Sequence, residues 1–187
     1  RYIPDFQPDQ DEGYIRLVTH NNMANSYNEQ QLVQIDEPLH CFDAQISGTF
    51  PEYSYPTDVR LELKTGAQVM FVKNDPSAEK RYYNGKIGHV VEILDDVILV
   101  QCPGDEEAVA VEQLEWENSR YIINEHTQEM ETEVQGVFRQ YPLRLAWAIT
   151  IHKSQGLTFD KAVIDAAMSK IKAIVAIPEV GEVYTGK

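Results

Sequence analysis

Apolar and polar positions alternate through Tyr14–Thr19 (YIRLVT), a run rich in β-branched and aromatic side chains. That pattern predicts a strand. His20, Asn21 and Asn22 break it, and either asparagine can cap a following helix through its side-chain oxygen. Met23, Tyr27, Leu32 and Ile35 then recur at roughly helical spacing, which predicts a helix over 23–35. A strand followed by a capped helix is half of a βαβ unit, the building block of α/β folds. Residues 1–13, polar and carrying Pro4 and Pro8, read as an extended lead-in.

The rhythm then shortens. Pro38, Gly48, Pro51 and Pro56 punctuate 36–60, with one short strand expected near His40–Ile46. From Leu61 onward, Ala67–Val72, Ile87–Ile93, Val97–Cys102 and Ala108–Leu114 are short β-prone runs, separated by Asn84-Gly85, Asp95-Asp96 and Pro103-Gly104. Asn-Gly is the signature of a type I′ turn, whose two central residues need positive φ. Strands at this spacing predict a small antiparallel barrel. Residues 115–133 are acidic and poorly periodic apart from Trp116, Tyr121, Ile122 and Ile123, so a solvated connection or a long hairpin is expected. Leu143–Ile151 (LRLAWAITI) reads as one buried strand ending in His152-Lys153-Ser154-Gln155-Gly156, and Phe159–Ala166 as another. The expected architecture is an α/β domain with a small β-barrel inserted near 61–140.

Composition narrows this. The chain has 187 residues, enough for one domain of about 150 residues or two small ones. Apolar residues at 43% and charged residues at 25% exclude wholesale disorder. No apolar run approaches the roughly 18 residues of a membrane span, and no secretory leader is read. Cys41 and Cys102 form no metal-type pair and read as structural thiols of a reducing, intracellular setting. The net charge of −14 taken alone argues against a polyanion partner. It is unevenly placed: residues 101–133 carry −9, whereas 60–90 and 134–187 carry +3 each. A nucleic-acid partner therefore stays open.

The densest polar cluster after an apolar strand is Thr150–Gly156. Two hydroxyls, an imidazole, an ammonium and an amide are mostly hydrogen-bond donors, suited to phosphate oxygens, and Gly156 permits close backbone approach. In open α/β sheets ligands bind beyond the carboxyl ends of the strands, where this turn would lie. Polar loops after strands are also common without any ligand, and a lone His152 is more often structural than catalytic.

The full string Tyr141–Asp160, YPLRLAWAITIHKSQGLTFD, resembles motif V of the PIF/RecD-like superfamily 1B DNA helicases. Leu63–Asp75 (LKTGAQVMFVKND) resembles the segment entering their inserted barrel, and Tyr83–Val91 (YNGKIGHVV) the Asn-Gly turn and strand within it. Leu17–Leu32 is similar to the strand and helix of their motif IV region. The resemblance implies a RecA-like half-domain of the P-loop NTPase type carrying a small SH3-like β-barrel. Residues 1–60 and 141–167 would be the second motor domain, 61–140 the barrel with its acidic connection, and 168–187 a tail of uncertain origin. It implies that Thr150 and His152, with Thr19, His20 and Asn21, face single-stranded DNA. Asn84 and Lys86 are weaker contacts. Lys153, Ser154, Gln155 and Gly156 would couple the nucleotide cleft to DNA. The implied whole protein is an ATP- and Mg²⁺-dependent helicase moving 5′ to 3′, with a further RecA-like motor domain as partner and no membrane role.

The sequence also departs from that family. A motor needs Gly-x-x-x-x-Gly-Lys-Ser/Thr to cradle phosphates and an acid to hold Mg²⁺. Gly181, Gly186 and Lys187 have the spacing, but no Ser or Thr follows. No Val-Ala-Leu-Ser-Arg motif is found after Ala167, so no ATP binding or hydrolysis is expected of this chain alone. Residues 168–187 resemble the linker before the RNA-binding barrel of polynucleotide phosphorylase, and no function is assigned to them. His40, His89 and His126 lack metal-ligand spacing. Trp116 and Trp147 read as core anchors, whereas Tyr82 and Tyr83, among Lys80, Arg81 and Lys86, read as a base-stacking candidate. The competing readings are a single-stranded nucleic-acid-binding or adaptor module without motor activity, and a piece with no independent role.

Overall fold

The computed structural model describes residues 14–123, 130–157, 159, 161–165 and 182–186. The lead-in at 1–13, residues 124–129 of the acidic run with His126, and most of the 168–187 tail lie outside the described residues. Four strands form a parallel sheet: β1 (Ile15–Val18), β12 (Ala148–Thr150), β13 (Lys161–Asp165) and β14 (Glu182–Gly186), in the order β12-β1-β13-β14. This is the α/β layer that the strand–helix pattern predicts.

Helix α1 (Asn21–Gln34) follows β1 and buries Ala24, Asn28 and Leu32. Met23, placed on the inner face by spacing, is half-exposed. His20, not an asparagine, holds the cap position: its carbonyl accepts the Met23 and Ala24 amides at 3.1 and 3.2 Å, and no side chain caps the helix. Arg16 lies over the Tyr27 ring at 4.8 Å and ties the helix to β1.

A second, antiparallel sheet has the order β11-β5-β6-β7-β8, from β5 (Gln68–Phe71), β6 (Ile87–Ile93), β7 (Ile98–Gln101), β8 (Val109–Val111) and β11 (Leu143–Leu145). The single strand expected near His40–Ile46 is two: β2 (His40–Asp43) pairs with β4 (Arg60–Leu63), and β3 (Gln45–Gly48) pairs with β10 (Met130–Gln140). The acidic run is the long hairpin of β9 (Leu114–Ile123) and β10. Among the described residues these sheets stay open, and no hydrogen-bonded ring closes them into a barrel. The Asn84-Gly85 turn also differs from expectation. Only Gly85 has positive φ, at 100°, and the Lys86 amide donates to Tyr83 O at 3.0 Å, the pattern of type II rather than type I′.

The two main core clusters meet at strand β5, which contributes to both. Strand β5 is buried on both faces. Val69 and Phe71 join Val90, Ile98, Val100, Tyr141 and Trp147, whereas Met70 joins Ile15, Leu17, Ile149 and Leu157 of the parallel layer. The apolar run at 143–151 is divided between the layers: β11 belongs to the antiparallel sheet, β12 to the parallel one, and Ala146–Trp147 cross between them.

Trp147 is the core anchor expected, and Cys102 is buried while Cys41 is exposed. Tyr82 is buried too, stacked on Phe71 with centroids 4.2 Å apart, which removes it as a base-stacking surface. Burial, then the carboxylates of Asp75 and Glu112, push its phenol up to about 12. Burial likewise pushes the Cys102 thiol up to about 11. In both groups the neutral form folds, so their contribution is whole below the unfolded-state values and lost as pH rises through the folded ones. Alkaline unfolding is therefore expected between about pH 9 and 12, and Tyr82→Phe should move its upper part to higher pH. Circular dichroism against pH measures this. Tyr82 ionising near pH 10 with the fold intact would contradict it.

Candidate functional site

Parallel pairing brings the two polar turns together. Val18 of β1 lies beside Thr150 of β12, so Thr19-His20-Asn21 and Thr150–Gly156 leave the sheet side by side at one edge. Thr150 is buried and extended, and it precedes the short helix α2 (Ile151–Ser154). His152 projects to solvent. The Ser154 hydroxyl donates to Ile151 O at 2.7 Å, and the Leu157 amide returns to Ser154 O at 3.1 Å. Gln155 and Gly156 are exposed, with Gly156 at φ +77°. Thr19 Oγ1 stands 2.7 Å from His20 Nδ1, an orientation set by the imidazole tautomer.

The Asn84-Gly85 turn reaches the same place from the antiparallel sheet. A Cβ on Gly85 would lie 3.2 Å from Leu157 Cβ, directly behind Gly156. Asn84 is exposed, and its amide donates to Asn74 Oδ1 at 2.8 Å. Lys86 is different: its ammonium donates to Asp105 Oδ2 at 2.6 Å and Arg81 O at 2.9 Å. Its charge serves the turn, not a solvent face.

Two residues that the sequence did not single out hold the site in place. Asn28, buried on α1, accepts the Ala148 amide at 2.7 Å and donates to Ala148 O at 2.9 Å and Leu145 O at 3.4 Å. Gln68, also buried, donates to Ala146 O at 2.8 Å and Tyr14 O at 2.7 Å, while its own carbonyl accepts the Ala146 amide at 3.0 Å. The Arg16 amide takes Trp147 O at 2.8 Å. The only sequence signal was an amide at i+4 between two apolar positions of the same helical face, Ala24 and Leu32.

The basic window at 60–90 is not a free cationic surface. Arg60 pairs with Glu62 at 3.2 Å, Lys64 donates to Ile35 O at 2.7 Å, and Lys80 donates to Asp75 O at 2.9 Å. Lys73 donates to Glu115 O at 2.6 Å and sits over the Trp116 ring at 4.8 Å. Arg81 donates to Ala108 O at 3.0 Å. With Lys86, all six cations of that window are bonded within the chain. The site edge itself is built mainly of neutral donors.

Between α1, β4 and the β11–β12 crossing lies a cleft of about 320 Å³, lined by Asn21, Asn25, Asp58, Arg144, Thr150 and Lys153 among others. Burial, then the neighbouring Arg144 charge, lower the Lys153 ammonium from its ordinary value, against the opposing pull of Asp58. The Gly181–Gly186 spacing makes no phosphate loop, because Glu182–Gly186 is strand β14. Among the described residues no group of three or more His, Cys, Asp or Glu is placed to hold a metal, and no helix is long and apolar enough to cross a membrane.

No protein-family model matches the chain. The ATP-dependent DNA helicase Pif1 of Bdellovibrio bacteriovorus is 36% identical over 158 residues, covering 81% of this chain and 33% of that protein. Among solved structures, Bacteroides sp. Pif1 in complex with ADP-AlF4 superposes with a TM-score of 0.84 at 35% identity, over 95% of this chain and 41% of that one. Bacteroides Pif1 bound to ssDNA gives 0.71 at 34% identity, over 98% and 42%. The chain spans about a third of the length of the bacterial relatives it matches.

The two turn glycines should respond differently to alanine. At Gly156 nothing lies within 4 Å of an added Cβ, so Gly156→Ala costs only the left-handed backbone, about 1 kcal/mol. At Gly85 the same strain is joined by the Leu157 contact, so Gly85→Ala should cost about 2 kcal/mol or more. Urea unfolding compares them, and equal losses would contradict the packing of this turn on Leu157.

Proposed function

The chain is a partial homologue of the Pif1 DNA helicases, and on that premise we propose that it supplies the single-strand-contacting and coupling part of a 5′-to-3′ DNA helicase. Residues 14–60 and 141–167 act as the second RecA-like motor domain in this reading, and 61–140 as its SH3-like insert. The observation that carries it is the parallel register Val18 beside Thr150, which sets two donor-rich turns at one sheet edge. Thr19, His20, Asn21, Thr150 and His152 contact the phosphodiester backbone, and Asn84 approaches the same strand from the insert. A translocase need not read sequence, so backbone contacts of this kind suffice.

Lys153 to Gly156 form the coupling turn. It is stiffened by the Ser154 and Leu157 hydrogen bonds and backed by the Gly85–Leu157 contact, so displacement of either neighbour moves it as a unit. ATP and Mg²⁺ enter as ligands of the whole helicase in this reading. The whole assembly needs the other RecA-like motor domain.

Fluorescence anisotropy with a labelled single-stranded oligonucleotide tests the reading. Salt-sensitive binding is expected, weakened roughly tenfold by His152→Ala through loss of a contact to an ionised phosphate. Binding unchanged by that substitution removes the site. In the same samples the chain should not turn over ATP, and multiple turnovers would overturn its assignment as half a motor.

A further inference from the structure

The cleft beneath the coupling turn brings two cations, Arg144 and Lys153, to one wall. Ten of the eleven lysines and arginines whose side chains are described fall into two groups, those bonded or stacked within the chain and the solvent-facing Arg139. The eleventh is Lys153, which is also exposed but lines the cleft. Among the described residues its ammonium makes no hydrogen bond and no ion pair, yet it sits in a cleft with a second cation, Arg144. The acid on that wall, Asp58, stands 3.8 Å from Arg144 Nε and is half-exposed, while the Arg144 side chain is largely buried. Glu62, on the facing strand, is paired with Arg60. Glu29 on the α1 side adds a third acid to the lining, but among the described residues Asp58 is the only carboxylate paired with either Arg144 or Lys153. Asn21 and Asn25 add neutral donors on the α1 side.

We infer that this cleft seats one phosphate of a bound polynucleotide strand between the Lys153 ammonium and the Arg144 guanidinium, with Asn21 and Asn25 as neutral donors. The inference rests on the single-strand reading above and gives Lys153 a ligand contact beyond its coupling role. Its cleft adjoins the edge that carries Thr150 and Asn21, so a strand lying on His152 can reach it. Arg144 belongs to β11 of the antiparallel sheet and Lys153 to α2 at the end of the parallel one. A phosphate between them draws the antiparallel sheet and the coupling turn together. The anion also offsets the repulsion and desolvation that Lys153 bears without it.

Oligonucleotide affinity measured over a range of salt concentrations tests this in the chain as it stands. Lys153→Ala should lower the slope of log affinity against log salt by about 0.7, the value of one single-strand phosphate contact. Asp58→Asn, which removes the competing carboxylate, should tighten binding. An unchanged slope in Lys153→Ala, with His152→Ala still weakening binding, overturns the cleft assignment and leaves the proposed function standing. If no oligonucleotide binds, the proposed function falls. Inorganic phosphate followed on the Arg144 and Lys153 side-chain resonances then separates the sources. Shifts of both resonances on adding the oligonucleotide support the strand assignment. Shifts with phosphate but not with the oligonucleotide make this a free-phosphate site and overturn it, and absence of shifts with either overturns the site altogether.

Discussion

Every peptide group buried at a crossing between two sheets must find a hydrogen-bond partner outside the strand ladders. The segment Leu145–Ala148 is such a crossing, and the rest of this protein is arranged around satisfying it. Its chain leaves the antiparallel sheet at β11 and joins the parallel one at β12, with Ala146 and Ala148 fully buried. Asn28 and Gln68 act as substitute peptides. Asn28 meets both the N–H and C=O of Ala148, and Gln68 meets both of Ala146 through its side chain and its own carbonyl. An apolar side chain at either position would leave buried polar groups unpaired, at about 1–3 kcal/mol each.

That clamp links the fold to the candidate site. It fixes where β12 ends, hence where Thr150 begins the site turn, and it binds that end to α1, whose first residues form the other polar turn. Helix, crossing strand and β5 thus meet at one point. Packing alone would permit small slides between layers. The directional amide bonds do not, because each is specific to one peptide group. The same logic explains the cations of the basic window. Most of them satisfy carbonyls in loops, so a positive count in the sequence became internal fastening rather than an electrostatic footprint.

Much of this was legible beforehand, and the failures have physical causes. β1, α1 and the insert strands follow from alternation and helical spacing, and β6 coincides with its predicted run. The run 143–151 reads as one strand because it is apolar almost throughout, so periodicity carries no mark of the change of sheet. The cap was misplaced because Asn21 and Asn22 have the right side chains, but His20 has the extended backbone and the accepting carbonyl. Gly85 was assigned to the wrong turn type because Asn-Gly suits both types. Tyr82 was misread because adjacent aromatics in an irregular segment face opposite ways: Tyr82 inward onto Phe71, Tyr83 to solvent. Thr150 and His152 stood out as a donor-rich turn. Asn28 did not, because its importance lies in what it touches 120 residues away.

Native-state hydrogen exchange on Asn28→Leu measures the clamp directly. In the unsubstituted chain the Ala148 amide should exchange as slowly as that of Val90, which is held to Ala67 O in the antiparallel sheet. In the variant, Ala148 and the turn amides through Leu157 should lose protection together while Val90 keeps its own. Continued slow exchange at Ala148, or equal loss at Ala148 and Val90, would contradict the claim that this amide fixes the site turn.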